Sequence, residues 1–564
     1  MNAFRSFGAW LGERPWRTGV LLAVLFLPLK LYGFETSYLN IHAARDWERG
    51  WQMLRFEQGW WHGPELLFRG SIPGFFFNVL SGLFHFPFRN PMFAAMGPPI
   101  LFSASVFFVF DFLRRLYPIS ISVTGTLLYG ALPMGTVLLR YLWNPSYLFL
   151  FTAIAVWFIV RSVMEKRRNL LAGALISLLL AFQVHITALA ALLACFLCSL
   201  ALRIVPARKV WALFFGLAIL FFVPYIVDQW RSGWPDGVAR QHLEVDAHID
   251  IYRYRLNPNF VLPFAMQVFH QPPLDQFQLR QTFPFSYYEH YYYSSPSASR
   301  LGTYAFFLSL PLALCALGGV VSAVFRLAQR DRSPRALVLF FSLAWLLAAC
   351  LPQVIWNPKT LLHGEDDFGV PVRYFIILWP VQFLFAAEGL HRLVLFTSGR
   401  FKGSVQWLPP LLMAPAIVCF VLFTVSFHLH ARRTGEPFRY LHIPDWPVHT
   451  LQEKLDIAYH LVGEYGVDEE IMLTRVYTEG PILYLTEESL DFEIRTALER
   501  TPDRPEPDPE LFYFIYKPHN RERIAGDYDE VERRRFKALE LLVYRPLQDQ
   551  QEVEVDPPIS WWWY

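Results

Sequence analysis

The segment 40–50 carries the side chains with the clearest chemical potential in this chain of 564 residues. If the segment is helical, His42, Arg45, Asp46 and Arg49 occupy positions i, i+3, i+4 and i+7 and share one face. An imidazole, a carboxylate and guanidinium groups on one face suit proton transfer beside an anionic leaving group. The alternative is an amphipathic helix at a membrane interface, whose charges face water.

Two other polar clusters contain metal-ligand side chains. His363, Glu365, Asp366 and Asp367 lie in one short segment, and their carboxylates suit a divalent cation beside a phosphate. A solvated acidic turn is the alternative for this segment. Histidine and acidic residues also alternate over 242–250, but they match no metal-site spacing. The sequence therefore leaves a metal cofactor undecided.

Long apolar blocks must position these side chains. Hydrophobic residues make up 54% of the chain and charged residues 17%, whereas a soluble globular chain carries about 25% charged residues. With their flanks, the blocks approach the roughly 20 residues that cross a bilayer. We therefore predict an α-helical polytopic membrane protein with about eleven transmembrane helices. Their predicted ranges are 18–34, 93–113, 118–138, 145–163, 169–187, 189–203, 210–228, 301–325, 335–355, 371–390 and 407–427.

Basic residues fall in every second short connection between the predicted helices. The connections around 114–115, 161–168 and 203–209 are basic, whereas the intervening short ones hold isolated cations such as Arg140. Because basic short loops stay in the cytoplasm, this alternation predicts an N-terminus inside and a C-terminus outside.

Three segments on the predicted outer side are too long to be simple connections. They are a large first outer loop over about 35–91, a second over about 229–300, and the tail after 428. The tail is polar and long enough to form a small mixed α/β domain. Its predicted elements are a helix over 448–465, strands over 471–476 and 511–516, and a Pro-rich acidic loop over 501–510.

Ionisable residues within the predicted membrane depth are few, namely Lys30, Asp111 and Glu388. We expect Asp111 to pair with Arg114 and Arg115, one turn away. A transporter usually carries a buried ionisable relay or broken helices near the midplane. The concentration of polar residues in the outer loops therefore disfavours transport, and no nucleic-acid or Gly-rich phosphate-binding signature is present.

The order of several short motifs resembles the lipid-dependent glycosyltransferases of the GT-C superfamily. The bacterial branch related to protein mannosyltransferases (glycosyltransferase family 39-like) and to the aminoarabinose transferase of lipid A is the most similar. The resemblance covers roughly the first 200 residues by motif and the rest by topology. The motifs are Arg45-Asp46, Gly63-Pro64, 73–77, 140–145, 183–185 and 369–374.

This resemblance implies transfer of a sugar from a polyprenyl-phosphate donor to a glycan, lipid or protein acceptor. It implies a location in a bacterial inner (plasma) membrane, with the reaction at the periplasmic face. The implied domains are a GT-C-like transmembrane domain over 1–428 and a soluble periplasmic domain over 429–564.

The resemblance also assigns catalytic roles in the first outer loop. Asp46 would act as the general base or orient the acceptor, and Arg45 would contact the donor phosphate. Related enzymes usually carry an aspartate three residues before this arginine, whereas this chain has His42. An imidazole can serve as a base near neutral pH, so His42 is the second catalytic candidate.

Further residues follow from the same motifs. Asn144 and His185 would line the cleft, although a histidine satisfied inside a helix bundle is the alternative for His185. A guanidinium fork matches phosphate oxygens, so three other arginines are candidates for the donor phosphate. They are Arg69, Arg140 and Arg373. We expect Arg45 and Arg373 to converge on one cavity.

Two other functions remain open from the sequence. A non-catalytic GT-C-like protein would bind a lipid or a partner protein, with the C-terminal domain available for a protein partner. The His42 substitution favours this function, and a transporter is the third possibility.

Overall fold

A computed structural model of the chain shows a mostly helical protein. The structure describes residues 15–39, 41–57, 62–65, 71–86, 90–142, 144–233, 291–293, 296–355, 376–398, 408–434, 438–440, 450–468, 476–478, 494–495, 497–498, 500–508, 510–516, 528–536 and 539–546.

The α-helices within these ranges are numbered here in chain order. They are α1 Pro15–Leu31, α2 Ile41–Leu54, α3 Phe76–His85, α4 Pro91–Leu116, α5 Ile119–Ala131, α6 Pro133–Arg140, α7 Leu148–Met164, α8 Leu170–Val184, α9 Ala188–Ala201, α10 Arg208–Arg231, α11 Pro296–Ala328, α12 Pro334–Ile355, α13 Trp379–Ser398, α14 Leu408–Thr434 and α15 Leu451–Tyr465. The strands are β1 Tyr38–Leu39, β2 His62–Glu65, β3 Ser71–Pro73, β4 Tyr141–Leu142, β5 Tyr291–Tyr293, β6 Phe438–Tyr440, β7 Val476–Thr478, β8 Phe512–Tyr516, β9 Tyr528–Phe536 and β10 Leu539–Pro546.

Five helical segments among the described residues are long and apolar enough to cross a membrane. They belong to α4, to α7 with the turn before it, and to α10, α11 and α14. In α10 only 11% of the most apolar stretch is buried, against 67% in α4. Exposed apolar surface of this extent needs lipid around it. The mostly helical membrane fold is confirmed, whereas the number of spans and their orientation remain predictions.

The structure differs from the single span predicted over 118–138. Helix α5 ends at Ala131 and α6 begins at Pro133. Leu132 lies between them with φ −48° and ψ 123°, outside the helical region. Proline lacks a backbone N–H and fixes φ, so it starts a helix readily but interrupts one that runs through it.

Aromatic side chains form the centre of the helical core. Phe102 stacks on Tyr129 with ring centroids 5.2 Å apart and meets the edge of Phe149 at 4.9 Å. Phe149 in turn packs on Trp379 at 4.9 Å. These contacts join α4, α5, α7 and α13, and such ring geometries add about 0.5–1.5 kcal/mol per pair beyond area burial.

Glycines allow α11 and α13 to pack backbone to backbone. A Cβ on Gly319 would lie 2.0 Å from the carbonyl oxygen of Phe385. A Cβ on Gly389 would lie 1.9 Å from the carbonyl oxygen of Cys315. Both positions therefore require glycine, as is common where membrane helices approach closely.

Ion pairs gather at the end of the bundle where α4 and α7 finish. Asp111 accepts hydrogen bonds from Arg114, Arg115 and Trp157, each at 2.7 Å. Arg115 Nη1 also lies 2.8 Å from Glu165. The predicted pairing of Asp111 with the two arginines is confirmed.

Glu388 of α13 forms a second ion-pair cluster at the same end. Its side chain is fully buried and accepts hydrogen bonds from Arg335 at 2.7 Å, Arg392 at 2.9 Å and Ser322 at 2.9 Å. Tyr117, which follows α4, donates to the same carboxylate at 3.3 Å. This intramembrane acid is thus part of a helix-joining cluster.

The C-terminal region contains a small α/β unit. Its sheet has the order β7-β8-β10-β9, with β7 parallel to β8 and the other pairs antiparallel. Helix α15 covers this sheet and shares a hydrophobic core with β8 and β10. The strand predicted over 511–516 is confirmed as β8, whereas 471–475 lies outside the described residues. The β9–β10 hairpin is not predicted by the sequence.

The C-terminal unit packs against α2. The backbone N–H of Leu451 donates to the carbonyl oxygen of Ser37 at 2.8 Å. Leu451 and Leu455 share a small core with Trp47 of α2 and Leu142 of β4. The unit therefore lies beside Trp47, the residue that follows Asp46 in α2.

Candidate functional site

Helix α2 forms where the sequence predicts it and packs closely on α3. A Cβ on Gly50 would lie 1.9 Å from the carbonyl oxygen of Asn78, and one on Gly82 would lie 2.4 Å from the carbonyl carbon of Gly50. The hydroxyl of Ser81 donates to the carbonyl oxygen of Asp46 at 3.4 Å. These contacts fix the register of α2, so the direction of the Asp46 side chain is set by backbone packing.

Asp46 and Arg45 form an ion pair at this helix. Arg45 Nη2 lies 2.9 Å and Nε 3.1 Å from Asp46 Oδ1. The Asp46 side chain is 1% exposed, whereas that of Arg45 is 21% exposed. The Asp46 carboxylate is thus shielded from solvent, whereas the Arg45 guanidinium is partly exposed to solvent. A buried carboxylate needs such a partner to remain charged.

Two buried aromatic residues lie near Asp46, and a buried histidine packs against one of them. Trp47 is 1% exposed, and its ring centroid lies 6.4 Å from that of the buried His85. Tyr147, which is also buried, is electrostatically coupled to Asp46. His85 is not predicted by the sequence, because it stands among apolar residues with no pattern that marks it.

Arg140 caps the C-terminal end of α1. Its Nη2 atom donates to the carbonyl oxygens of Lys30 at 2.5 Å and Tyr32 at 2.8 Å. A cation at a helix C-terminus is favourable, because the last carbonyls lack helical partners. β4 begins at the next residue and pairs in parallel with β1, which precedes α2. Arg140 and β4 therefore position the chain that leads into α2.

Asn144 and Gln183 join three of the sequence motifs. Asn144 Nδ2 donates to the carbonyl oxygen of Val184 at 2.8 Å. Gln183 Nε2 donates to the carbonyl oxygen of Pro73. Gly74, at φ +103°, leaves room for this amide, since a Cβ there would lie 1.8 Å from Gln183 Oε1. The motif segments 73–77, 140–145 and 183–185 thus meet at one end of the bundle.

His185 directly follows Val184, the last residue of α8. Its Nδ1 atom lies 2.8 Å from the hydroxyl of Thr187, and the residue is 7% exposed. The structure therefore places His185 beside Asn144 and Gln183, as a largely buried and hydrogen-bonded histidine.

Several predicted site residues fall outside what the structure describes. His42 lies within the backbone of α2, but its side chain is outside the described part. Arg69, Arg373, His363, Glu365, Asp366 and Asp367 lie outside the described residues, and so does the segment 242–250. The expected convergence of Arg45 with Arg373 is therefore untested. Within the described ranges, no three His, Cys, Asp or Glu side chains form a metal-binding group.

No protein-family model matches the chain, and no curated protein sequence matches it. Several solved structures match this chain. ArnT from Cupriavidus metallidurans bound to undecaprenyl phosphate aligns over 94% of this chain and 98% of its own, with a TM-score of 0.51 and 11% identity. The apo state of the same ArnT aligns over 93% of this chain and 97% of its own, with a TM-score of 0.50 and 12% identity. An Archaeoglobus fulgidus oligosaccharyltransferase tethered to an acceptor peptide aligns over 96% of this chain and 75% of its own, with a TM-score of 0.46 and 12% identity.

The likeness to ArnT extends over nearly the whole of both chains. At 11–12% identity it shows a shared fold and leaves the activity open. The chain therefore shares the overall fold of the ArnT structures, in agreement with the fold that the order of motifs in the sequence predicts.

Proposed function

We propose that this protein is an integral-membrane glycosyltransferase that transfers a sugar from a polyprenyl-phosphate donor to an acceptor at the periplasmic face. In this reaction the bond between the sugar C1 and the phosphate oxygen breaks, and a bond between C1 and the acceptor oxygen or nitrogen forms. The acceptor loses a proton to a base, and polyprenyl phosphate leaves. The sugar and the acceptor class are left open.

The ion pair of Arg45 with the buried Asp46 carries this proposal. A shielded carboxylate has the chemistry of a general base, and a half-buried guanidinium beside it has the chemistry of a phosphate contact. Both lie on a helix fixed against α3, and a site fixed by backbone packing avoids reorganisation during the reaction. His42 lies one turn before Asp46 and is the second candidate for the base.

The ArnT structure supports the donor class, because that protein is bound to undecaprenyl phosphate. The alternating basic connections support an arrangement of about eleven spans with the N-terminus inside and the C-terminus outside. In this arrangement the site and the C-terminal unit face the periplasm of a bacterial inner membrane. Arg69, Arg140 and Arg373 are further candidates for the donor phosphate.

The purified full chain in lipid nanodiscs tests the proposal. Undecaprenyl-phosphate hexoses and pentoses are supplied one at a time with a membrane extract as the acceptor source, and released undecaprenyl phosphate is measured by mass spectrometry. We expect at least one donor to be consumed by the protein and not by empty nanodiscs. Consumption of no donor, together with no detectable lipid binding, would contradict the proposal.

A non-catalytic lipid-binding protein is the second candidate. His42 stands where related enzymes carry an aspartate, and Arg45 already engages the Asp46 carboxylate with two hydrogen bonds. Native mass spectrometry separates the two functions. Bound undecaprenyl-phosphate sugar that is never consumed would favour this binding-only function.

A further inference from the structure

A groove lies on the C-terminal unit, between helix α15 and the edge strand β9. Its volume is about 450 Å³, within the range of ~300–1,000 Å³ that is usual for small-molecule sites. We name it the α15–β9 groove. Helix α15 contributes Asp456, Tyr459, His460 and Glu464 to its lining. Positions 456, 460 and 464 are four residues apart, so they share one face of the helix and form one wall of the groove.

Strand β9 forms the opposite wall with Arg534, Arg535 and Phe536. The helix wall carries two exposed carboxylates and the strand wall carries two exposed guanidinium groups. Among the described residues, no ion pair joins the two walls. The groove therefore offers hydrogen-bond acceptors on one side and donors on the other, with equal numbers of the two charges.

Hydrogen bonds fix Arg534 in the groove. Arg534 Nη1 lies 2.9 Å from His460 Nδ1. A guanidinium can only donate, so Nδ1 accepts and the imidazole proton is on Nε2, which donates to Glu532 at 3.1 Å. Tyr465 donates to the same carboxylate. The Arg534 guanidinium is thus ordered before a ligand binds, which lowers the entropic cost of binding.

Two half-buried aromatic rings, Tyr459 and Phe536, give the groove apolar surface between its polar groups. The Phe536 ring centroid lies 5.9 Å from that of His460 and 5.7 Å from the Arg534 guanidinium. A sugar ring has apolar C–H faces and hydroxyl groups that both donate and accept, so it matches aromatic faces flanked by donors and acceptors. A polyanion would meet the carboxylates and a polycation would meet the guanidiniums, so an uncharged ligand fits this groove better than either.

Tyr459 connects the groove to the candidate catalytic helix. Besides lining the groove, it packs on the small core that contains Leu451, Leu455 and Trp47. Trp47 follows Asp46 in α2. A ligand in contact with Tyr459 is therefore one side chain away from the core that anchors this helix.

We propose that the α15–β9 groove binds an uncharged oligosaccharide. The aromatic rings contact its C–H faces, the carboxylates accept hydrogen bonds from its hydroxyl groups, and the guanidiniums donate to them. The inference deepens the proposed function by making a glycan the acceptor. Only this acceptor role rests on the proposed function, because binding in the groove requires no sugar transfer.

Oligosaccharide binding by the purified full chain in phosphatidylcholine nanodiscs tests the proposal. The loaded nanodiscs are applied to an array of neutral, acidic and amino oligosaccharides, and the Kd of a bound neutral one is measured by calorimetry. Glu464→Ala and Arg535→Ala each remove a charged contact at an exposed position, so we expect Kd to rise about tenfold. Phe536→Leu keeps an apolar side chain but removes the ring, and it should also raise Kd.

Glu506→Ala and Arg504→Ala are the matched controls. Both residues are exposed, lie in the loop between α15 and β8 and do not line the groove, so Kd should not change. An array on which no neutral oligosaccharide binds would overturn the proposal. So would a Kd that is insensitive to all three groove variants when thermal unfolding shows that they are folded. Trialanine, a zwitterionic peptide, is titrated in parallel, and its binding in place of every oligosaccharide would identify the groove as a peptide site instead.

Mass spectrometry tests the acceptor role separately. When a lipid-linked sugar donor is added, a bound oligosaccharide should gain the mass of one sugar. A preparation that consumes the donor and leaves the bound oligosaccharide unchanged would contradict the acceptor role. A preparation that binds the oligosaccharide but consumes no donor would count against the proposed function and leave the groove as a glycan-binding site.

Discussion

Asp46 and Arg45 lie close enough that each limits what the other can do. The Asp46 carboxylate accepts two hydrogen bonds from the Arg45 guanidinium, and these contacts must rearrange before the carboxylate can take a proton from an acceptor. A donor phosphate at Arg45 would compete for the same guanidinium and release the carboxylate. We therefore expect donor binding to free the Asp46 carboxylate from Arg45. Without the donor, Asp46 stays paired with Arg45 and does not act as a base.

Substitutions of His42 separate the two candidate bases. His42→Asp places an aspartate where the glycosyltransferases that this loop resembles carry one, so we expect it to retain sugar transfer. His42→Ala leaves no proton acceptor at this position, and we expect transfer to fall about a hundredfold. Initial rates of donor consumption measure both effects. Full activity of His42→Ala would leave Asp46 as the sole base.

Glu532 gives the C-terminal unit a predictable response to acid. Burial works against the charged carboxylate, but hydrogen bonds from Tyr465 and His460 outweigh it and hold the pKa of Glu532 below its usual value. A lowered folded-state pKa stabilises the fold above the unfolded-state pKa of about 4.3, and this stabilisation is lost as pH falls through the folded-state value.

We therefore expect Glu532→Gln to weaken hydrogen-exchange protection of α15 in the full chain at pH 6, and its difference from the parent to shrink toward pH 3. Protection is compared after correction for intrinsic exchange rates. Asp503→Asn, in the exposed loop between α15 and β8, is the control. A difference that grows on acidification would show that Glu532 has a raised pKa in the folded protein.

Individual helices follow from the sequence because a membrane-crossing segment must be apolar over about 20 residues. The predicted range 93–113 corresponds to α4, and 145–163 corresponds to α7. Helix α3 is not predicted, since it has only ten residues, with polar Asn78, Ser81 and His85 among them, and is too short for the length signal of a membrane span. The division of 118–138 at Leu132 is also missed, although Pro133 marks it.

Contacts between elements are much harder to predict than the elements themselves. Arg140 and Lys30 are 110 positions apart in the chain, and so are Gln183 and Pro73. The sequence motifs identify Arg140 and Asn144 as candidates, but their hydrogen bonds to α1 and α8 depend on how the helices pack. The location of His428 beside Arg140 has no sequence signal.

Two adjacent glycines in α11 test the packing of this helix on α13. Gly319→Ala places a Cβ against the carbonyl oxygen of Phe385, so the helices must separate, at a cost of about 1–3 kcal/mol. Gly318→Ala meets no atom within 4 Å. We expect a lower unfolding temperature for Gly319→Ala and an unchanged or slightly higher one for Gly318→Ala. Equal effects of the two substitutions would contradict the close backbone contact.

The whole molecule has two chemically different ends. The ion-pair clusters of Asp111 and Glu388 gather at one end, and α2, Arg140 and the C-terminal unit gather at the other. The basic connections predict that the first end faces the cytoplasm. The packing of Trp47 on Leu451 and Leu455 places the C-terminal unit where it can influence access to Asp46.

Cysteine labelling tests this sidedness. Single cysteines at Glu57 and Glu510 should react with a membrane-impermeant maleimide applied to the periplasmic side, whereas one at Arg167 should react only after the membrane is permeabilised. The parent chain, with its native cysteines, sets the background. Labelling of Arg167→Cys in intact spheroplasts would reverse the orientation.

The rate of donor consumption by Asp46→Asn, compared with Glu48→Gln, tests the central claim most directly. Asp46→Asn keeps the shape of the side chain but removes its charge and basicity, whereas Glu48 points about 200° around α2 from Asp46. We predict a loss of about a hundred- to ten-thousandfold for Asp46→Asn, with folding retained, and a rate near that of the parent for Glu48→Gln. Equal, measurable rates for the parent and both variants would contradict the catalytic role of Asp46 and leave His42 as the candidate base.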